Sequence, residues 1–291
     1  MKRILLTGAT GQVGYELERS LQGLGEIIAV DRSRMDLTNL DQVRDVIRSV
    51  KPALIINPAA YTAVDQAESE PDVALCVNGH APAVMAEEAR KLGAALIHYS
   101  TDYVFDGSKA TAYTEDDPTC PVNVYGRTKL VGEQAIQAAG IPHLILRTSW
   151  VYGMRGKNFL LTMRRLAQQR DHLNIVADQH GAPTWCRTIA DTTARMIAPG
   201  SRGNHALDAW HAQSGLFHLS AQGQTTWHGF AEAIFAHPSM TKKPALHAIA
   251  AHDYPLPARR PNNSVLSSDR LINTFSALPA WDAALKLCQD E

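Results

Sequence analysis

The sequence has 291 residues and a formal net charge of −1, and 45% of its residues are hydrophobic while 20% are charged. This balance is typical of a globular protein with one large domain or two unequal lobes, and it argues against nucleic-acid binding. No apolar run approaches the roughly 18 residues of a membrane-spanning helix, and no signal peptide precedes the first apolar run. We therefore expect a cytoplasmic protein without a membrane partner.

Cysteine and histidine positions give no indication of a metal site. The four cysteines stand at positions 76, 120, 186 and 288, without the spacing of metal ligands. The twelve histidines include no H-x-H or H-x-x-x-H set, spacings that would bring two ring nitrogens close together. We expect reduced thiols, surface histidines and no bound metal.

The first motif is a glycine-rich turn between a strand and a helix. Residues 3–6 form an apolar run that predicts a buried parallel strand, and Thr7-Gly8-Ala9-Thr10-Gly11-Gln12-Val13-Gly14 follows it. Glycines lack the Cβ atoms that would keep a pyrophosphate from backbone N–H groups, and the following helix N-terminus adds partial positive charge. The spacing G-x-x-G-x-x-G differs from the more common G-x-G-x-x-G, but its strand–turn–helix context predicts dinucleotide binding by Gly8, Gly11 and Gly14.

The second predicted strand, residues 27–30, ends in two side chains of opposite charge. Asp31 follows the glycines at about the distance where an acidic residue hydrogen-bonds the adenosine ribose. Arg32, its neighbour, would instead pair with a 2′-phosphate. The sequence therefore predicts a dinucleotide site and leaves both NADH and NADPH open. Asp36 precedes a predicted helix over residues 40–50 and can reach the adenine.

The third and fourth predicted strands, residues 53–57 and 94–99, each lead into a polar segment. The small side chains of Ala59 and Ala60 follow the third strand and would let a cofactor lie close to the backbone. A predicted helix over residues 71–92 leads to the fourth strand, which ends in Ser100-Thr101-Asp102-Tyr103. Ligands bind at the carboxyl edge of such sheets, so these hydroxyls are candidates for holding a substrate oxygen.

Tyr125 and Lys129 are the strongest candidates for catalysis. They lie four residues apart in a predicted helix with Asn123 at its N-cap position, and this spacing places them on one helix face. A phenol normally loses its proton near pH 10, whereas a neighbouring ammonium lowers its pKa. We therefore expect Lys129 to lower the pKa of Tyr125, which would prepare the tyrosine for proton transfer.

The remaining chain completes an α/β protein. A fifth strand, residues 143–147, gives five strand–helix units, and the crossover rule makes them parallel. Beyond residue 153 the alternation loosens, with helices predicted near 157–170, 187–198 and 227–236, the last capped by Thr226. Strands are predicted over 173–176 and 215–219, and polar loops over 199–204 and 258–264. We predict a dinucleotide-binding domain over 1–153, rejoined by later segments, and a smaller, mainly substrate-binding lobe over 154–291.

These motifs together resemble the extended short-chain dehydrogenase/reductase superfamily, which has a Rossmann-like, doubly wound parallel sheet. Within it, the chain is similar to the dTDP-4-dehydrorhamnose reductase family over most of its length. The motifs that carry this resemblance are GATGQVG, AAYTAVDQAE, STDYVFDG, NVYGRTKLVGE, RTSWVYG and DQHGAPT. The resemblance implies that NADPH or NADH reduces the C4 ketone of dTDP-4-dehydro-6-deoxy-L-mannose to dTDP-L-rhamnose, the last step in making an activated sugar for cell-surface glycans.

The resemblance also implies roles for individual residues. Tyr125 would give a proton to the C4 oxygen, Lys129 would hold the nicotinamide ribose, and Thr101 would hydrogen-bond the same oxygen. Asp102 and Trp150 would face the sugar, and Arg259 or Arg260 would bind the diphosphate. The residues expected to line the cofactor are Gly8, Gly11, Gln12, Val13, Gly14, Asp31, Asp36, Leu37, Ala60, Tyr61, Thr62, Tyr125 and Lys129.

Some relatives form a homodimer bridged by Mg²⁺, and Glu16 matches one acidic position of that bridge. Arg187 stands where a second acid is expected, which argues against the metal and leaves the homodimer open. Two other functions remain for the same fold: a nucleotide-sugar epimerase or dehydratase, and a non-catalytic regulatory subunit of methionine adenosyltransferase. The Thr101-Asp102-Tyr103 segment lacks the acidic pair of a dehydratase, and intact Tyr125 and Lys129 argue against a subunit without catalysis.

Overall fold

A parallel sheet forms the centre of the protein. The computed structural model describes residues 2–198 and 213–291, and in these ranges the sheet has six strands. In spatial order they are β2 (Glu26–Ala29), β1 (Arg3–Leu6), β3 (Leu54–Asn57), β4 (Ala95–Thr101), β5 (His143–Thr148) and β10 (Gly215–His218). Every neighbouring pair is parallel. The predicted doubly wound α/β fold is confirmed.

Helices flank the sheet and also build the second half of the chain. They are α1 (Gln12–Ser20), α2 (Leu40–Val50), α3 (Val64–Ala67), α4 (Pro71–Leu75), α5 (Ala81–Leu92), α6 (Val124–Ala138), α7 (Phe159–Gln169), α8 (Cys186–Ile197), α9 (Trp227–Ala236), α10 (Asp269–Thr274) and α11 (Trp281–Gln289). The long helix predicted over residues 71–92 is interrupted by a π-helical turn, Cys76–His80. Such turns change the direction of side chains and are frequent at functional sites.

Successive side chains of β1 pack into separate hydrophobic clusters on the two faces of the sheet. Leu6 packs in the cluster that contains Leu17 of α1, whereas Leu5 packs in the cluster that contains Ile47 of α2. Successive side chains of a strand point to opposite faces, so helices cover both sides of β1. All seven residues of β4 are buried, as expected for a central strand of a parallel sheet.

The strand order reverses direction next to β1. The chain runs from β1 to the edge strand β2 and then crosses to β3 on the other side of β1. In open α/β sheets this reversal leaves a crevice at the carboxyl ends of the strands, where ligands bind. The glycine-rich turn leaves β1 at that edge, and Asn57 ends β3 beside it.

The second half of the chain has its own small core and short strands. A parallel pair joins β7 (His172–Val176) to β12 (Ala245–Ile249), and β12 was not predicted. The other short strands are β6 (Val151–Tyr152), β8 (His180–Gly181), β9 (Thr184–Trp185) and β11 (Thr225–Thr226). Helix α8 packs against α1, so part of this half lies beside the dinucleotide-binding half. The division at residue 153 stays a prediction.

Two further sequence predictions concern the surface of the fold. The polar loop predicted over 199–204 lies outside the residues that the structure describes. Among the helices that it does describe, none has the length and apolar composition needed to cross a membrane.

Candidate active site

The glycine-rich turn packs closely on the loop that follows β3. Gly8 has a φ of +58°, and a Cβ atom there would lie 3.0 Å from the Cβ atom of Ala59. Glycine tolerates this left-handed conformation and leaves room for the contact. Gly11 precedes α1, whose first turn carries no acidic residue and no side-chain cap. The N-terminus of α1 is therefore suited to an anion such as a pyrophosphate.

Polar side chains fix the loops on both sides of this turn. The Oε1 atom of Gln12 accepts a hydrogen bond from Asn158 at 2.8 Å. The backbone N–H of Tyr61 donates to Oδ1 of Asn78 at 2.9 Å, and Nδ2 of Asn78 donates to the carbonyl of Tyr61 at 3.1 Å. Asn78 belongs to the π-helical turn, so the helix interruption orients the amide that holds the Ala60–Thr62 segment. Asn78 was not among the site residues predicted from the sequence.

The end of β2 carries the acidic and basic side chains expected near an adenosine. Asp31 accepts hydrogen bonds from the hydroxyl of Ser33 at 2.6 Å and its N–H at 3.0 Å, and the hydroxyl bond is the main reason why the pKa of Asp31 is lowered. Arg32 reaches Asp36 at 3.4 Å, and its side chain is 81% exposed. Asp31 is therefore ionised at neutral pH, and the exposed guanidinium of Arg32 is open to a ligand.

Tyr125 meets Thr101 where α6 crosses the end of β4. The side chain of Asn123 caps α6 by accepting a hydrogen bond from the Gly126 N–H at 2.8 Å, which confirms the predicted helix start. A Cβ atom at Gly126 would collide with the carbonyl oxygen of Tyr103, so glycine permits close packing of α6 on the turn after β4. This packing brings the phenol of Tyr125 close enough to the Thr101 hydroxyl for Thr101 to influence the pKa of Tyr125.

The pKa of Tyr125 differs from the sequence-based expectation. Burial, followed by the charge of Asp102, raises the pKa of Tyr125 to about 12, and the hydrogen bond with Thr101 opposes this rise. Lys129 is not among the groups that shift it. The expected lowering by Lys129 is therefore wrong, and the phenol keeps its proton throughout the neutral range.

The ammonium group of Lys129 is engaged elsewhere. Its Nζ atom lies 3.1 Å from Nε2 of His98 and donates to the carbonyl oxygen of Tyr99 at 2.5 Å. The Lys129 side chain is 1% exposed, and burial lowers its pKa to about 8, while the charge of Glu133 raises it. Lys129 thus titrates close to neutral pH.

Asp102 lies behind Thr101 with both carboxylate oxygens bound. The Thr101 hydroxyl donates to Oδ1 at 2.9 Å and the Ser149 hydroxyl donates to Oδ2 at 3.0 Å. Burial raises the pKa of Asp102 to about 6, although hydrogen bonds from Ser264, Thr101 and Ser149 lower it. The carboxylate of Asp102 therefore orients the Thr101 hydroxyl, and the expected contact between Asp102 and the sugar stays a prediction.

Trp150 has an unusual backbone and a stacked ring. Its φ of +45° lies in the left-handed region, which costs roughly 1–3 kcal/mol for a residue other than glycine. Its indole stacks on Trp227 with ring centroids 3.5 Å apart, and it also contacts the backbone at Gly181. One face of the Trp150 ring is therefore covered by Trp227, which limits the surface that it can offer to a sugar.

The two candidate arginines occupy different environments. Arg260 pairs with Asp65 at 2.8 Å, and it lines a cavity of about 610 Å³ together with aromatic side chains such as Trp227 and Phe159. Arg259 is exposed, and its backbone carbonyl accepts a hydrogen bond from Asn123. The structure therefore associates Arg260, and not Arg259, with a cavity able to enclose a ligand.

The residues at the expected Mg²⁺ position do not fit a metal. Arg187 forms an ion pair with Glu291, and its charge acts on Glu16. Burial is the largest cause of the raised pKa of Glu16, which makes that carboxylate a poorer ligand. Within the described ranges, no group of three or more His, Cys, Asp or Glu side chains could hold a metal ion.

The parallel sheet, the glycine turn at its reversal and the Tyr-x-x-x-Lys helix are those of the extended short-chain dehydrogenase/reductase class. A family model described as the RmlD substrate binding domain matches residues 1–291. The dTDP-4-dehydrorhamnose reductase of Burkholderia thailandensis is 48% identical, covering 98% of this chain and 97% of that protein. The Escherichia coli K12 enzyme of the same name is 44% identical, covering 99% and 97%. The chain belongs to the dTDP-4-dehydrorhamnose reductase family and is an NAD(P)H-dependent oxidoreductase.

The fold is also that of a solved structure from the same family. The dTDP-4-dehydrorhamnose reductase of Bacillus anthracis, solved in complex with NADP, has a TM-score of 0.90 and 33% identity, and the match covers 99% of both chains. The likeness extends over both halves of the chain.

Proposed function

We propose that this protein reduces the C4 ketone of dTDP-4-dehydrorhamnose to the alcohol of dTDP-L-rhamnose, with NADPH or NADH as the reductant, in the cytoplasm. One observation carries the proposal: the Tyr125 phenol lies beside the Thr101 hydroxyl at the carboxyl end of β4, on the sheet edge where the glycine turn leaves β1. The substrate is suggested by the names of its relatives, which act as dTDP-4-dehydrorhamnose reductases.

The dinucleotide would lie across the reversal of the strand order. Its pyrophosphate would face the N-terminus of α1, and its adenosine would lie near Asp31, Asp36 and Leu37. The Ala60–Thr62 segment, held by Asn78, would run along the nicotinamide half. When bound, the nicotinamide supplies a hydride to C4 of the sugar.

The chain itself supplies the proton. Tyr125 would donate its phenolic hydrogen to the C4 oxygen as negative charge develops there. Its raised pKa keeps the proton in place at neutral pH, and the alkoxide that forms is a far stronger base than a phenolate. A positioned general acid typically accelerates a reaction by about 10²–10⁴-fold.

The rest of the substrate would extend toward the C-terminal half. Arg260 would bind the diphosphate, because a guanidinium matches phosphate oxygens with two parallel hydrogen bonds. The cavity beside it, lined by Trp227, Phe159 and Leu256, has the apolar and aromatic surface that a nucleotide base requires. Thr101 and the open part of Trp150 would contact the sugar.

The direct test follows dinucleotide absorbance with enzymatically prepared dTDP-4-dehydrorhamnose. We expect wild-type protein to oxidise one NADPH or NADH for each sugar reduced. Tyr125→Phe should bind dinucleotide normally and lower kcat at least about 100-fold, the lower range for a lost general acid. Tyr152→Phe is a matched control, because it removes a buried hydroxyl for which the described residues supply no hydrogen-bond partner. Wild-type turnover by Tyr125→Phe would refute the proposed role.

A further inference from the structure

Lys129 is the last member of a buried hydrogen-bonded chain that begins at the glycine turn. The Thr7 hydroxyl donates to Oδ1 of Asn57 at 2.7 Å, and Nδ2 of Asn57 lies 3.1 Å from Nδ1 of His98. Nε2 of His98 lies 3.1 Å from Nζ of Lys129. All four side chains are at most 1% exposed. We call these four residues, Thr7, Asn57, His98 and Lys129, the Lys129 relay.

The number of protons in the relay fixes the direction of its hydrogen bonds. With the Asn57 oxygen bound by Thr7, its amide nitrogen faces Nδ1 of His98, so Nδ1 must accept. A neutral imidazole carries one N–H, which then lies on Nε2 and points at Lys129. In this arrangement Lys129 accepts a hydrogen bond and is a neutral amine.

A second arrangement accommodates the charged lysine. An ammonium at Lys129 donates to Nε2 of His98, which moves the imidazole hydrogen to Nδ1. Asn57 must then turn its oxygen toward His98 and donate from its amide nitrogen to the Thr7 oxygen. The two arrangements differ by one proton at Lys129, and every bond of the relay reverses between them.

We propose that His98 is a positioning residue for the reduction, which holds Lys129 through Nε2 and couples its protonation to the start of the glycine turn through Asn57 and Thr7. His98 can do this because its ring has an acceptor and a donor on opposite sides, and because each ring nitrogen of this fully buried side chain lies 3.1 Å from a protein partner. This inference rests on the proposed function, since it assigns Lys129 a role beside the nicotinamide.

The charged groups around the relay are few and themselves paired. Burial and the charge of Lys129 hold the pKa of His98 well below its usual value, so the ring stays neutral. Glu133, one turn beyond Lys129 on α6, is held by Arg147 of β5 through two hydrogen bonds of 2.9 and 2.6 Å. Asp102, after β4, acts on Tyr125.

The α5 helix and the π-helical turn also pack against α6 and carry several titratable side chains, which are Glu87, Glu88, Arg90 and Lys91 on α5 and Cys76 and His80 on the turn. Glu88 of α5 is bound by Arg48 and Lys91, and His80 of the π-helical turn is exposed. His98 is therefore the neutral titratable side chain that directly contacts the Lys129 ammonium.

A kinetic experiment separates positioning from a structural role. Leucine cannot accept a hydrogen bond from an ammonium, so His98→Leu should favour the neutral amine. We expect the alkaline limb of the kcat/KM profile to move down by about one pH unit, the effect of losing one hydrogen bond to a charged group. His98→Gln retains an acceptor and a donor and should restore most of the shift. His218→Leu is the control, because His218 is an equally buried histidine on β10.

An NMR experiment tests the relay without turnover. In wild-type protein labelled with ¹⁵N-histidine, His98 is assigned by the signals that disappear in His98→Gln. We expect these signals to change from the Nδ1–H to the Nε2–H tautomer as pH rises, with a midpoint near 8, where Lys129 loses its proton. The ring should remain neutral throughout.

The outcomes are distinguishable. A tautomer that stays fixed between pH 6 and about 10, or an alkaline limb that His98→Leu leaves unmoved, would overturn the inference. A His98→Gln variant that matches His98→Leu would reduce His98 to a packing role. If wild-type protein does not reduce dTDP-4-dehydrorhamnose, the proposed function fails, and the tautomer measurement alone decides the relay.

Discussion

Asp102 should lower the stability of the protein at neutral pH, and Asp102→Asn should restore it. The carboxyl is 3% exposed, and burial raises its pKa from the usual 3.8 to about 6. Each pKa unit corresponds to 1.36 kcal/mol, so a shift of about two units represents about 3 kcal/mol of folding free energy. Asparagine has nearly the same shape and no charge to bury.

The sign of the effect follows from proton binding. Between pH 3.8 and about 6 the native protein holds a proton on Asp102 that the unfolded chain has lost. Stability from this group is therefore complete below about pH 4 and is lost as pH rises through about 6. Asp102→Asn should exceed wild type by up to about 3 kcal/mol at pH 8, and the two proteins should converge near pH 4.

Urea unfolding at pH 4, 6 and 8 measures this difference directly. One of the two hydroxyls, Thr101 or Ser149, can keep donating to the amide oxygen while the other rotates to accept from the amide nitrogen, so the variant need not leave a buried group unpaired. Asp106→Asn is the control with the opposite sign, because hydrogen bonds from Ser108 and Tyr113 lower the pKa of Asp106. If Asp102→Asn is no more stable than wild type at pH 8, or if its advantage does not change with pH, the reasoning is refuted.

Two predictions concern arginines that we propose to bind ligands. Arg260→Ala should raise the KM for the nucleotide sugar by about 10- to 100-fold, the effect of losing a hydrogen bond between charged groups, with little change for NADPH. Arg259→Ala should change it less than about twofold, since exposed charges contribute little, and equal effects of the two variants in steady-state kinetics would contradict the assignment. Arg32→Ala should raise the KM for NADPH roughly tenfold and leave that for NADH nearly unchanged, because only NADPH carries a 2′-phosphate. An equal rise in KM for both dinucleotides would contradict the contact between Arg32 and the 2′-phosphate.

Local signals in the sequence were sufficient to predict the architecture of the central sheet and its helices. Strand β4 is apolar throughout its first half, and side-chain caps at Asn123 and Thr226 mark the starts of α6 and α9. Each of these features depends on residues within one or two turns of one another. Strand β12 was missed because its partner β7 lies more than 60 residues earlier in the chain, and its own burial is slight.

The site was predictable only in part for the same reason. Tyr125, Lys129 and Thr101 belong to recognisable motifs, whereas His98 is a single histidine in a strand with no distinguishing spacing. Its significance comes from contacts with Asn57 and Lys129, which lie 41 and 31 residues away in sequence. The stack of Trp150 on Trp227 is likewise a long-range contact.

The high pKa of Tyr125 shows why spacing alone gives the wrong electrostatics. A four-residue interval places Tyr125 and Lys129 on one helix face, but it does not determine where the longer lysine side chain ends. Here Nζ is held by His98 and Tyr99, so burial and Asp102 dominate the pKa of the phenol. Catalysis of reduction needs a proton donor, and a phenol that keeps its proton at every physiological pH meets that need. The carboxylate of Asp102 thus reduces the stability of the fold, but it also helps to keep the Tyr125 phenol protonated and accepts the hydrogen bond that orients Thr101.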